Sequence, residues 1–481
     1  MMMQFVFWTT LFVIVACWLW QLKRHDPYNW LTYIILGIYL PLVLYMCGWS
    51  TLVYKHISES FYLIFVYFNL MLFAVFLLEN LDSRTERGFD QSPFPIVLKK
   101  RLIPVEVVNL VVVVALLVEN YITTGSVVPA LVGLQDHTSH ASGLVYITNS
   151  QYFILAADLF FYIVTRRKRY LLYIVVLILL PMVTRASRMS SMLEIVCLLS
   201  LYLYLRRYYV NQGKKRPRRT TKQVIIIVFE IAVLAFVINA MVNLGASRMN
   251  HYGVYDYLYS SNIGYTGPMI FGEAAAWYYG YFPLSFNNLN VNVTFNNSGM
   301  SYIGLSSFKS FYYGILHFAS FGVPTDIANT AKIVINANCT VVTGFWDFWY
   351  DFGPLCFIPM AVSGTIYLYL KRRLCRSNKN PMNVALYFYW VPLWAFMSFN
   401  NTAYFDCVFN NMIITYFVIW YYFGIGIDSE KAFDGPQSEV DVARGYSRTS
   451  SSRPLLGKAS GRNRNSYGLS PIVDFRLGGR R

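Results

Sequence analysis

One pattern recurs eleven times along the chain: a run of mostly apolar residues, bounded by charged or turn-forming ones, of a length suited to crossing a bilayer as a helix. The runs are 3–22, 29–48, 59–78, 104–118, 149–165, 170–183, 189–205, 223–244, 352–370, 382–399 and 407–425. Composition supports the same reading. Hydrophobic residues make up 56% of the 481 positions, aromatic ones 18% and charged ones only 13%. A soluble chain carries roughly a quarter of its residues as charges, so a cytosolic enzyme is excluded. The expectation is an all-α polytopic membrane protein of about 11 transmembrane helices, with a large outer segment containing short amphipathic helices. The first run lacks a preceding basic region and a small-residue cleavage site, so it reads as a mature helix rather than a signal peptide. The seven cysteines show no CxxC pair and sit mostly in apolar runs, as small buried hydrophobes do.

The placement of charge orients these runs. With the N-terminus outside, the loops on one face hold 34 of the 40 Lys and Arg residues, and that face is then cytoplasmic. The other face keeps six: Lys55, Arg185, Arg188, Arg248, Lys309 and Lys332. A missed or invented run would flip every later loop and spoil the split. The net charge of +16 therefore reports topology, and nucleic acid is not expected as a partner. Four regions follow: helices one to eight in 1–244, a large outer segment in 245–351, helices nine to eleven in 352–427, and a basic tail in 428–481 that reads as disordered cytoplasmic chain.

The outer segment has an unusual composition. From 249 to 350 about a quarter of the residues are Phe, Tyr or Trp, and only six are charged. Clusters such as Trp277, Tyr278, Tyr279, Tyr281 and Phe282 suit short helices at a membrane interface. Together with Asn287, Asn288, Asn290, Asn292, Asn296 and Asn297 they also suit a sugar-binding surface, because pyranose C–H faces stack on rings while hydroxyls seek amides. The expected glycan contacts are Trp277, Tyr281, Asn338, Trp346 and Tyr350.

The outward arginines carry the next step. Arg185 and Arg188 stand in Thr-Arg-Ala-Ser-Arg between two apolar runs, and Arg248 follows the eighth run with His251 three residues on. A guanidinium near the membrane needs an anionic partner, which is either a carboxylate of the chain or a ligand. Three on one face can cradle a phosphate or pyrophosphate in two-point fashion. Asp347 and Asp351 are four residues apart before the ninth run and share a helical face; each suits a general base or a helix-start acid. Glu106, Asp158, Glu194 and Glu230 lie in or beside apolar runs, the usual mark of proton-coupled transporters, and Glu194 is expected to fix an arginine. Asp136, His137 and His140 read as an exposed loop rather than a metal site. No Walker or dinucleotide-type glycine pattern is present.

Taken together, the architecture to about residue 425 resembles the Wzy-type O-antigen polymerases of bacteria, the membrane enzymes that join oligosaccharide repeat units. The local likeness lies in Thr184-Arg185-Ala186-Ser187-Arg188, in Arg248 opening the outer segment, and in Tyr350-Asp351-Phe352-Gly353 before the ninth run. The resemblance implies a multi-pass enzyme of the bacterial inner membrane, with a periplasmic N-terminus and a cytoplasmic C-terminus. It implies a metal-independent glycosyltransferase without cofactor, moving a growing glycan from undecaprenyl pyrophosphate to the non-reducing end of another lipid-linked repeat unit. Arg185, Arg188 and Arg248 would then hold pyrophosphate, and Asp351, with Asp347 and His251 as rivals, would take the acceptor proton. The implied partners are the undecaprenyl-pyrophosphate-linked oligosaccharide, membrane lipid and a polysaccharide chain-length regulator. The alternatives are an O-antigen ligase and a lipid-linked oligosaccharide flippase or transporter. The basic tail departs from simpler family members.

Overall fold

The computed structural model describes residues 2–23, 28–82, 96–98, 105–129, 144–149, 151–185, 188–206, 259–269, 272–295, 307–308, 333–335, 339, 341–375, 381–402 and 425–427. It is mostly helical. Elements α1 (Met2–Lys23), α2 (Trp30–Met46) and α3 (Glu59–Leu81) correspond to the first three apolar runs. Elements α4 (Val105–Thr124), α6 (Gln151–Thr165), α7 (Lys168–Arg185) and α8 (Arg188–Leu205) correspond to the fourth to seventh, with the short α5 (Leu144–Asn149) before α6. The outer segment contributes α9 (Tyr259–Asn262), α10 (Glu273–Tyr281), α11 (Pro283–Phe295) and α12 (Phe345–Phe352). Then come α13 (Phe357–Leu374) and α14 (Pro381–Trp390). Strands β1 (Ile96–Leu98) and β2 (Ile425–Ile427) pair antiparallel, Val97 opposite Gly426. The eighth and eleventh expected spans and the tail fall outside the described residues.

Among the described residues three helices are long and apolar enough to cross a membrane, α1, α3 and α4, or four if the bent pair Phe345–Leu355 and Phe357–Leu374 is one span. The ninth run is therefore not the straight helix its composition predicts: the chain turns by 117° at Gly353–Leu355, where Pro354 cannot supply a helical N–H. The tenth also changes form, α14 giving way to a 3-10 turn over Pro392–Phe396. Helix α2 is loosened by a π-helical stretch at Ile35–Tyr39, just before Pro41.

Apolar side chains point outward as well as inward. Phe5, Phe12 and Leu19 of α1, Leu110 and Val114 of α4, and Leu172 and Leu179 of α7 are exposed. Such a surface suits lipid, where the bundle interior rather than its exterior takes the polar groups. Thr10, Asn69 and Tyr39 link α1, α3 and α2: the Asn69 amide donates to Thr10 Oγ1 at 2.8 Å, and the Tyr39 hydroxyl donates to Asn69 Oδ1. Trp30 stacks on Tyr367 with centroids 4.9 Å apart and meets Trp394 edge-on at 4.9 Å.

Contacts sort the helix ends into two sets. At one end Gln21 and Tyr367 donate to Glu79 Oε2, Lys371 Nζ lies 3.5 Å from Glu79 Oε1, and Arg372 pairs with Asp82 at 2.9 Å. Tyr28 belongs to that end, its carbonyl taking the Tyr387 hydroxyl and its ring meeting Tyr204 near the close of α8. Residues 49–54, α9, α10 and α11 gather at the other, where Ser50 bridges Tyr265. Lys371, which the run boundaries place in a basic loop, is instead buried at 2% exposure because α13 continues past it.

Close approach sets one strict requirement. A Cβ on Gly37 would lie 2.1 Å from the Ala395 carbonyl oxygen, whereas one on Gly364 meets only the side chains of Val75 and Met71. Gly37→Ala should therefore destabilise the protein by about 1–3 kcal/mol, and by clearly more than Gly364→Ala, in thermal unfolding of the detergent-solubilised protein. The Glu79–Lys371 pair yields a second expectation: Glu79→Gln or Lys371→Met alone should cost about 3–5 kcal/mol by breaking a buried ion pair, and the double variant should recover part of it.

Candidate functional site

The site that sequence reasoning points to divides into two parts. The first is α12, Phe-Trp-Asp-Phe-Trp-Tyr-Asp-Phe, which is buried from Phe345 through Asp351. Its approach depends on Gly344, where a Cβ would stand 2.6 Å from the Asn401 Cα. Phe345 packs edge-on to Phe65 and Phe68 of α3, at 5.2 and 5.0 Å, which draws the helix into the bundle rather than along its surface. Asp347 and Asp351 do share a face, and both are buried, at 8% and 1% exposure. The Asp351 carboxylate accepts the backbone N–H of Ser307. Ser307 Oγ donates to the Asp347 carbonyl at 3.0 Å, and Asn401 Nδ2 donates to the Ser307 carbonyl at 3.1 Å. Trp346 and Tyr350 stand on the same helix, with ring centroids 5.5 Å apart. Sequence reasoning missed Ser307 and Asn401, which bear no motif and meet α12 only through the fold.

The second part is α11, and it corrects the reading of its asparagines as a sugar-binding surface. Every residue from Pro283 to Val293 is buried, so this helix has no wet face. The amides instead serve backbone. Asn287 accepts the Tyr54 N–H at 2.8 Å and donates to the Leu52 carbonyl at 2.9 Å. Asn290 accepts the Ser58 N–H at 3.0 Å and donates to the His56 carbonyl at 2.8 Å. On another side Asn292 takes the Ile333 N–H at 2.9 Å and gives to the Ile333 carbonyl at 2.7 Å, while Asn288 donates to the carbonyls of Cys339 and Val341. A side-chain amide carries one acceptor and a two-hydrogen donor, so it can pair with extended backbone as a neighbouring strand would. Two stretches of chain are thus fastened to one buried helix. Asn296 and Asn297 lie outside the described residues.

The remaining expected residues are dispersed. Trp277 is buried in α10 and stacks on Tyr281 at 5.4 Å, and Tyr281 stacks in turn on Phe399 at 5.8 Å. They belong to an interior cluster with Ile263 and Leu284 rather than to an interface helix. Arg185 closes α7 and Arg188 opens α8, so both backbones stand at one turn. That turn is at the same end of the bundle as α12, since the far ends of α8 and α13 meet around Tyr28, Tyr387 and Lys371. Arg248, His251 and Asn338 lie outside the described residues, as do Asp136, His137, His140 and Glu230. Glu194 departs from expectation: its partner among the described residues is Gln151, not an arginine. Among the described residues no group of three His, Cys, Asp or Glu side chains is arranged to hold a metal ion.

Beside α11 a cleft of about 530 Å³ opens between Leu52–His56 and Val291, Phe295 and Ile335, with Lys55 and His56 at its rim. Its walls are mainly apolar, and Phe295 meets Tyr54 edge-on at 5.8 Å. No family model matches the chain, and neither a curated protein nor a solved structure matches it.

Replacing Asn292 with Ala should strand the N–H and carbonyl of Ile333. The expected cost is about 1–3 kcal/mol, with faster amide hydrogen exchange confined to residues 333–341, while Asn296→Ala serves as a comparison.

Proposed function

We propose that this chain polymerises lipid-linked oligosaccharide repeat units, transferring the growing glycan from undecaprenyl pyrophosphate to the non-reducing end of another lipid-linked unit. The observation that supports it best is the sharing of one bundle end by the Arg185–Arg188 turn and by α12 with its two acids and aromatic rings. In this reading Arg185, Arg188 and Arg248 neutralise charge developing on the departing pyrophosphate. Asp347 takes the proton of the acceptor hydroxyl. Asp351 positions the Ser307 segment beside it, since its carboxylate already holds the Ser307 N–H. Trp346 and Tyr350 border the sugar path, and positioning of two bulky lipid-linked substrates supplies much of the rate. The reaction runs at the periplasmic face of the inner membrane.

An O-antigen ligase would use the same donor and the same arginines with a different acceptor. A lipid-linked oligosaccharide flippase or transporter is the reading that the buried acids Asp158 and Glu194 favour.

Purified protein in liposomes, given a synthetic undecaprenyl-pyrophosphate repeat unit, should produce a ladder of longer glycans on a gel. Arg188→Ala and Asp347→Ala should each lower elongation at least about 100-fold, the scale for removing a charge-stabilising or proton-transfer group. Lys309→Ala should leave it intact. No elongation with any such repeat unit would overturn the proposal, and transfer to a lipid A core acceptor alone would favour the ligase.

A further inference from the structure

The four buried asparagines of α11 do more than satisfy backbone groups, because they also fix the walls of the cleft beside that helix. Successive helical residues are turned by about 100°. Asn287 and Asn290 therefore face one side of α11, Asn288 and Asn292 face another, and Val291 and Phe295 lie on the strip between them. The first pair holds residues 52–58 by accepting the N–H groups of Tyr54 and Ser58. The second holds 333–335 by accepting those of Ile333 and Ile335. Val291 and Phe295 thus form the floor of a trough whose two walls are pinned to the same helix. Its volume of about 530 Å³ falls within the roughly 300–1,000 Å³ of small-molecule sites.

The trough is apolar inside and cationic at its edge. Leu52, Val53 and Tyr54 line one wall and Ile335 the other, and Phe295, Ile333 and Val334 remain exposed about its mouth. Exposed apolar groups gathered at one opening mark an interaction surface. Lys55 and His56 stand at the rim and are both exposed. The ion pairs among the described residues are Arg169–Glu106, Lys371–Glu79 and Arg372–Asp82, so neither Lys55 nor the nearby acid Glu59 is neutralised by one. A free lysine beside an apolar trough is complementary to a molecule with an apolar chain and an anionic head.

Depth in the membrane narrows the choice of molecule. Helix α3 has 23 residues, about 35 Å at 1.5 Å per residue, which is enough to cross a hydrocarbon core of about 30 Å. Lys55 lies just ahead of its first residue, Glu59, and so stands at the level of lipid headgroups.

We infer that this trough binds a phospholipid with an anionic phosphodiester headgroup, one acyl chain lying over Val291 and Phe295 and the phosphate meeting Lys55 and His56. The ammonium supplies charge, and the imidazole has an N–H to donate in either protonation state. A lipid held there joins the 52–58 segment, α11 and 333–335, and so reinforces the contacts that the asparagines make. The inference is independent of the glycan chemistry and needs only that the bundle sits in a membrane.

The test uses the full-length protein in phosphatidylcholine nanodiscs that carry a trace of phosphatidylglycerol with a photoreactive diazirine on its acyl chain. After illumination, labelled peptides are mapped by mass spectrometry. Label should fall on 52–56 or 291–295, at several-fold the yield given by a phosphatidylcholine probe with the same chains. Lys55→Ala should lower that yield several-fold, the scale of one lysine at an anionic headgroup, and Lys55→Arg should preserve it. Labelling of the outward residues of α1 should stay constant in every variant, which checks folding. Unlabelled phosphatidylglycerol should displace the probe, whereas inorganic phosphate, having no chain for the trough, should not. No label at the trough, equal yields from the two probes, an unchanged yield in Lys55→Ala, or displacement by inorganic phosphate would overturn the site. Comparison of the two probes on wild type decides the matter without any variant.

Discussion

The structure depends on pairing polar groups inside a bundle whose outside is apolar. In water the apolar core holds a protein together and polar groups face out; with Phe5, Leu110 and Leu172 exposed here, burial of apolar surface distinguishes less between inside and outside. Interior hydrogen bonds and close backbone contacts then define which helices meet. Thr10–Asn69–Tyr39 ties the first three helices, and Gln21–Glu79–Lys371–Tyr367 ties α1, α3 and α13 at one end. Asn109–Asp158 and Gln151–Glu194 do the same for α4, α6 and α8. The approach of Gly37 to Ala395 adds the packing that only a small residue permits.

The same economy explains the outer segment. A helix as fully buried as α11 would be expected to be apolar, yet four asparagines occupy its interior. They work because residues 52–58, 333–335, 339 and 341 present irregular backbone, with N–H and C=O groups that secondary structure leaves unpaired. Each amide satisfies groups on a neighbouring segment, and in return the segment shields the amide. Helix α12 and Ser307 stand in the same relation, with Asp351 accepting the N–H and Asn401 donating to the C=O of that one residue. The residues with the most suggestive chemistry in the outer segment thereby acquire architectural duties. That narrows the catalytic candidates at α12 and moves the interest toward Arg185 and Arg188.

Much of the helical layout was legible. Runs 3–22, 59–78 and 189–205 became α1, α3 and α8 within a few residues, because apolar length and flanking charge are local properties. Run 104–118 was drawn too short: α4 continues through Glu119, Asn120 and Thr124, polar residues that end a hydropathy window but not a helix whose buried face accepts them. The run from 352 was drawn straight, since composition does not register that Gly353 takes a positive φ of 53° and that Pro354 follows it. At the candidate site, the shared face of Asp347 and Asp351 followed from their spacing. Their burial and their neighbour Ser307, some forty positions away, did not.

By itself, the sequence determined that this is a mostly helical chain with apolar segments that suggest membrane association, because apolar length and helical period depend on neighbours along the chain. Only the tertiary structure decided what the polar residues do. Asn288, Asp158, Glu194 and Asp351 read alike as candidate functional groups, and they differ because a buried hydrogen bond depends on whichever donor or acceptor another segment brings within about 3 Å. That partner is chosen by the packing of helices distant in sequence.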